Sequence, residues 1–159
     1  TESRPLPDGW QLLWVTGSGN FPSIDNDLSS IGGPRWVRAV PYIEDMPLAL
    51  GVTDLAVSRS GAMTTAEFLA WGVPAILIPL PTSAAGHQKL NALALQQAGA
   101  AVYLSQEGLT ASALWSSVSE LAYDQAELDK MGQAARTRSH PHATSDIVTD
   151  LMELLPDAH

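Results

Sequence analysis

Ser58-Arg59-Ser60-Gly61-Ala62-Met63-Thr64-Thr65-Ala66-Glu67 lies between two apolar runs, Asp54-Leu55-Ala56-Val57 and Ala75-Ile76-Leu77-Ile78-Pro79-Leu80. Each run is short, continuous and bounded by turn residues, which suits a strand covered on both faces. Between them, Ala62 to Trp71 has helix-forming composition, with Gly72 to stop it and Pro74 just beyond. The order is strand, Ser-Gly turn, helix, strand: one βαβ unit, which needs a parallel sheet.

Stepping each residue by about 100° around the helix puts Ala62, Ala66, Leu69, Ala70 and Val73 on one stripe, expected to pack on the sheet. Thr64, Glu67 and Trp71 fall opposite. A hydroxyl and a carboxylate are thus predicted side by side near the start of a helix that comes after a glycine turn. A helix start presents unpaired N–H groups and a partial positive charge, suited to phosphate. A carboxylate one turn further in can accept from a sugar diol. The pair fits a nucleotide site at the carboxyl ends of parallel strands. These residues alone favour the plainer reading, in which Ser60 caps the helix, Thr64 is incidental and Glu67 is a solvated charge, because caps far outnumber ligand sites.

The 159 residues suffice for one domain with its own core, and 45% of them are hydrophobic. No apolar run is long enough to span a membrane, and the polar start Thr1-Glu2-Ser3-Arg4-Pro5 is unlike a secretory leader. Zero cysteines exclude disulfides and thiolate metal sites and fit a cytoplasmic protein. The net charge of −9 argues against nucleic acid as a partner. That charge is uneven. Residues 35–95 balance four bases, Arg35, Arg38, Arg59 and Lys89, against four acids, Glu44, Asp45, Asp54 and Glu67. The acidic surplus lies outside the candidate site, so composition does not repel an anionic small ligand there.

Along the rest of the chain, Gln11–Thr16 reads as a buried strand. Gly17-Ser18-Gly19-Asn20 comes next and reads as a turn, because no third glycine opens a helix and Pro22 interrupts. Residues 20–34 form an irregular connection or one short helix. Arg35–Val40 is a strand, and Asp45 can cap a short helix through Leu50. A helix is expected over His87–Gln97, ending at Gly99, then a strand over Ala101–Leu104. Further helices are expected from Thr110 to about Ala122, from the Asp124/Glu127 capping box to about Arg138, and over roughly Thr144–Leu155. Tyr42 and Trp71 are read as packing residues. His140, His142 and His159 have no metal-site spacing. The predicted class is α/β, a Rossmann-like doubly wound and mostly parallel sheet, with C-terminal helices packed on one face.

Several motifs in order carry a resemblance: Tyr42-Ile43-Glu44-Asp45-Met46, Ser58–Thr64, Glu67, Gly72–Pro79, His87-Gln88, Asn91-Ala92 and Ala98–Ala101. Over about residues 36–155 the chain resembles the C-terminal half of the MurG family. These are bacterial N-acetylglucosaminyltransferases that convert lipid I to lipid II in peptidoglycan synthesis. The resemblance implies one half of a GT-B transferase, the half that binds UDP-N-acetylglucosamine. It places Ile43 against the uracil, with Met46 flanking that pocket. It brings Ser60, Gly61, Ala62, Met63 and Thr64 to the diphosphate and Glu67 to the ribose hydroxyls. His87 and Gln88 would reach the sugar, Gln88 through a sugar hydroxyl, with Asn91 bracing that helix. Arg59 is a secondary candidate, as a phosphate ligand or as an ion-pair partner of Glu44 or Asp45.

No metal and no cofactor beyond the sugar nucleotide is implied. Two features depart from the family pattern. Gly86 stands where the family has Asp before His-Gln, so a helix cap or sugar contact is expected to be lost. The family's glycine-rich loop after the first strand has no match, so the sequence is read as a single partial domain, 1–159, lacking that strand and loop, with a helical tail over 139–159. The acceptor-binding half, the catalytic base it carries and the lipid-linked acceptor it holds would then lie outside this sequence. The isolated chain is expected to be inactive, and the whole protein peripheral on the cytoplasmic face of the membrane. A sheet edge left open by the missing strand invites dimerisation. The alternatives are a donor-binding subunit of a split transferase, or a non-catalytic nucleotide-sugar-binding module.

Overall fold

A computed structural model describes residues 5–83 and 86–154. Among the described residues the order is β1 (Leu12–Val15), α1 (Phe21–Ser30), β2 (Val37–Val40), α2 (Met46–Gly51), β3 (Ala56–Ser58), α3 (Ala62–Trp71), β4 (Ala75–Leu77), α4 (His87–Gln97), β5 (Ala101–Tyr103), α5 (Ala111–Ala122), α6 (Gln125–Thr137) and α7 (Ala143–Leu154). They divide into two compact units, one up to Thr53 with Ala111–Gln125, the other Asp54–Thr110 with the residues from Ala126 onward.

In the first unit β1 and β2 pair in parallel, Leu12 opposite Val37 and Val15 opposite Val40. All four β1 residues are exposed, contrary to the buried strand expected over Gln11–Thr16. Gly17–Asn20 is a turn, in agreement with the sequence, and its polar groups are satisfied locally: Asn20 donates its backbone N–H to Gly17 O and its side-chain Nδ2 to Thr16 O. Pro22 interrupts nothing. It sits in the first turn of the ten-residue α1, where a missing N–H costs nothing. Asp45 caps α2 as expected, its Oδ1 accepting from the Leu48 N–H at 2.9 Å. Trp36 and Trp115 meet at 5.8 Å between ring centroids, tilted by 54°. Tyr42, expected to pack, is instead 72% exposed.

In the second unit β4 is central, flanked by β3 and β5, all parallel. Ala75, Ile76 and Leu77 of β4 are buried, as a strand covered on both faces must be. Phe68, Val73, Ala92, Leu95, Ala100, Leu128, Met131 and Ala135 complete that core. α3 stops at Gly72, whose φ of 68° is left-handed, a conformation glycine adopts at little cost. A Cβ on Gly132 of α6 would lie 2.8 Å from the Gly72 carbonyl oxygen, so helix and turn meet backbone to backbone. Arg136 of α6 lies against the same turn and donates to Trp71 O at 3.4 Å.

Three further expectations are corrected. α3 does not bury its alanine stripe: Ala62, Ala66 and Ala70 are exposed, while Thr65 and Phe68 are buried. Burying a phenyl ring is worth about 1.5–3 kcal/mol and an alanine methyl much less, so Phe68 sets the rotation of the helix. Trp71, expected to pack, is 43% exposed. The last helix, α7, has no buried residue, so the expected packing of the C-terminal helices is carried by α6.

Candidate functional site

The site is the carboxyl edge of the β3-β4-β5 sheet, where β3 ends at Ser58 and α3 starts at Ala62. The N-cap of α3 is Gly61, not Ser60, and no side chain caps the helix. Thr65 turns inward and donates to the Gly61 and Ala62 carbonyls at 3.0 Å. Its neighbour Thr64 is half-buried, with Oγ1 4.0 Å from where a Gly61 Cβ would stand. Glu67 is half-buried and, among the described residues, makes no hydrogen bond or ion pair. The N–H groups of Ala62, Met63 and Thr64 therefore share an uncapped helix start with a hydroxyl and a carboxylate, an arrangement that favours an anion with hydroxyls attached.

Gly61 is the informative residue. Its φ of −64° and ψ of 150° are open to any amino acid. An added Cβ would meet nothing nearer than Thr64 Oγ1 at 4.0 Å. Gly72 is a glycine because its φ of 68° is left-handed, and Gly132 because the Gly72 carbonyl oxygen stands 2.8 Å from where its Cβ would be. No such crowding exists at Gly61; glycine suits an N-cap, and a bare backbone there also leaves the helix start open to the close approach of a ligand.

α4 starts beside α3. Its N-cap is Gly86, left-handed with φ 69° and without a side-chain cap. The cap expected to be lost with the family's Asp is indeed absent, and that backbone conformation favours glycine. Ser60, fully buried, donates its hydroxyl to Gln88 O at 2.8 Å. Asn91 Nδ2 donates to Ser60 O at 3.0 Å. Gln88 Oε1 accepts from the Leu80 N–H at 2.9 Å. A backbone N–H can pair only with the amide oxygen, so the Gln88 flip is fixed and its two N–H donors point away from Leu80. His87, the first residue of α4, is exposed.

Arg59 takes neither role foreseen for it. Its Nη1 donates to Ile78 O at 2.9 Å, Pro79 O at 3.3 Å and Gln106 Oε1 at 2.6 Å, tying together the chain beyond β3, β4 and β5. The structure thus places Arg59, Ser60, Gly61, Ala62, Met63, Thr64, Glu67, His87, Gln88 and Asn91 in one unit. Ile43, half-buried in the loop after β2, and Met46, half-buried at the start of α2, belong to the other. Sequence reasoning misses Leu80 and Gln106: they contact the site across 8 and 47 residues, separations that obey no helical or strand period. Among the described residues no group of three or more His, Asp or Glu is placed to hold a metal ion.

Comparison with known proteins bears on the same region. The pattern of the glycosyltransferase family 28 C-terminal domain matches residues 3–147. A UDP-N-acetylglucosamine–N-acetylmuramyl-(pentapeptide) pyrophosphoryl-undecaprenol N-acetylglucosamine transferase of Lactobacillus delbrueckii is 37% identical over 145 residues, 91% of this chain and 39% of its own length. A transferase of the same name from Desulfitobacterium hafniense is 40% identical over 142 residues, 87% of this chain and 38% of its own. The chain therefore spans about two fifths of the curated relatives it matches. The crystal structure of Acinetobacter baumannii MurG superposes with a TM-score of 0.80 at 27% identity, over 91% of this chain and 43% of that one. Glycosyltransferase VinC, crystallised with dTDP, superposes with a TM-score of 0.62 at 18% identity over 94% of this chain and 43% of that one, a likeness of fold alone.

Proposed function

The chain belongs to glycosyltransferase family 28, as its C-terminal domain, and from that premise we propose that it binds UDP-N-acetylglucosamine as the sugar donor. The uncapped start of α3 takes the diphosphate through the Ala62, Met63 and Thr64 N–H groups, with the Thr64 hydroxyl beside them. Glu67, one turn on, accepts from the ribose diol. The Gln88 amide N–H groups and His87 face the sugar. The observation that carries this reading is the start of α3 at the carboxyl edge of the sheet, which no side chain caps and where Gly61 leaves the backbone bare.

In the whole protein, the acceptor is the lipid-linked muramoyl-pentapeptide named in the relatives. Its hydroxyl attacks the anomeric carbon and gives its proton to a base in the half outside this chain. The bond from that carbon to the diphosphate oxygen breaks with inversion. The negative charge that builds on UDP is stabilised by donors already oriented toward it, a term commonly worth about 3–4 kcal/mol per donor. The protein would work at the cytoplasmic face of the membrane, where its lipid-linked acceptor is presented. No described helix is long and apolar enough to cross a membrane.

Calorimetry of the full-length protein with UDP, UDP-N-acetylglucosamine and NAD tests the assignment. UDP and the sugar nucleotide are expected to bind and NAD not to. Binding of NAD alone would overturn it.

A further inference from the structure

Three polar side chains at the two helix starts point at backbone rather than at open space. Ser60 gives its hydroxyl to Gln88 O, Asn91 gives Nδ2 to Ser60 O, and Gln88 Oε1 takes the Leu80 N–H. These bonds join the chain leaving β3, the chain leaving β4 and the first turn of α4. The N-cap of α4 is a glycine without a side-chain cap, so these bonds fix its start among the described residues.

We propose that Ser60 and Asn91 form a positioning seam that holds the start of α4 in register with the start of α3, so that a ligand's sugar and diphosphate are engaged together. The Ser60 side chain does not touch the ligand: its hydroxyl is fully buried and its proton is committed to Gln88 O. The seam's role rests on the donor-binding reading. Sugar and diphosphate are covalently joined, so donors on the two helices meet them simultaneously only if the spacing between the helices is right, and misplacements of about 1 Å are costly. Cutting the seam removes the sugar's share of the affinity and leaves the diphosphate's share on α3.

The test is calorimetry of the full-length protein with UDP and with UDP-N-acetylglucosamine. In Asn91→Ala, the near-isosteric Asn91→Leu and Ser60→Ala, the advantage of the sugar nucleotide over UDP should fall about tenfold, the scale of one lost buried hydrogen bond and its misplaced neighbours. Affinity for UDP should stay within about twofold. Gln96→Ala is the control. Its Oε1 accepts from the Tyr103 N–H at 2.8 Å, a comparable bond near the far end of the same helix. That variant should lose thermal stability to a similar degree and leave both affinities unchanged.

A seam variant that weakens UDP and the sugar nucleotide equally, or that leaves both untouched, overturns the proposal. So does a wild-type protein that binds the two ligands equally. Failure of the wild type to bind UDP at all would instead remove the donor-binding reading beneath it.

Discussion

Gly61→Ala separates a glycine kept for the fold from one kept for a ligand. The backbone at Gly61 (φ −64°, ψ 150°) accepts alanine, and the new methyl carbon would meet only Thr64 Oγ1 at 4.0 Å. Alanine is a poorer N-cap than glycine by roughly 0.5–1 kcal/mol. Against that, it removes about 0.4–1 kcal/mol of unfolded-chain entropy. The two terms nearly cancel, so the melting temperature should move by no more than about 2 °C for a chain of this length. Binding is another matter. The methyl stands at the uncapped helix start, where an anion must approach to within hydrogen-bond distance of the Ala62–Thr64 N–H groups. Losing one hydrogen bond to a charged group costs about 1.5–3 kcal/mol, which is roughly 10- to 150-fold in dissociation constant. The assay is calorimetric titration of UDP alongside a thermal melt of the same sample. Unchanged UDP affinity in a folded variant would refute the ligand explanation of Gly61. A collapse in stability would show that the fold needs this glycine after all.

Other substitutions probe the remaining parts of the account. Glu67→Ala should weaken UDP by about tenfold or more while leaving the melting temperature nearly unchanged, since Glu67 makes no bond among the described residues; equal affinities would remove the ribose assignment. Gly132→Ala should destabilise by about 1–2 kcal/mol, because a Cβ 2.8 Å from Gly72 O forces backbone apart and outweighs the gain of about 1 kcal/mol in helix propensity; denaturant titration showing a more stable variant would contradict the packing described. Asp45→Ala should cost about 1 kcal/mol through loss of the cap on the Leu48 N–H, and an unchanged denaturation midpoint would mean that the cap contributes nothing.

Local signals make much of this fold legible. Gly72 stops α3 in the left-handed conformation expected of a helix-ending glycine, and α3 spans Ala62–Trp71 as its composition implies. Asp45 caps α2, and the apolar run at Ala75 forms the buried central strand. The rotation of α3 is not legible in the same way. An even alanine stripe looks like a packing face, but the single large side chain Phe68 outweighs it. Site backbone is legible through Gly61 and the helix start, which are consecutive in sequence. Side-chain direction is not. Arg59 and Ser60 look like ligand groups in a linear reading, yet they bond Ile78, Gln106 and Gln88 across 19, 47 and 28 residues. Only the folded β3-β4-β5 sheet brings those partners within reach, and no spacing in the sequence announces them.

A crystal structure of the full-length protein with bound UDP addresses the central claim most directly. The account predicts diphosphate oxygens about 2.7–3.2 Å from the N–H groups of Ala62, Met63 or Thr64, with the ribose hydroxyls on the Glu67 carboxylate. Density for UDP elsewhere, with the start of α3 left to solvent, would contradict it.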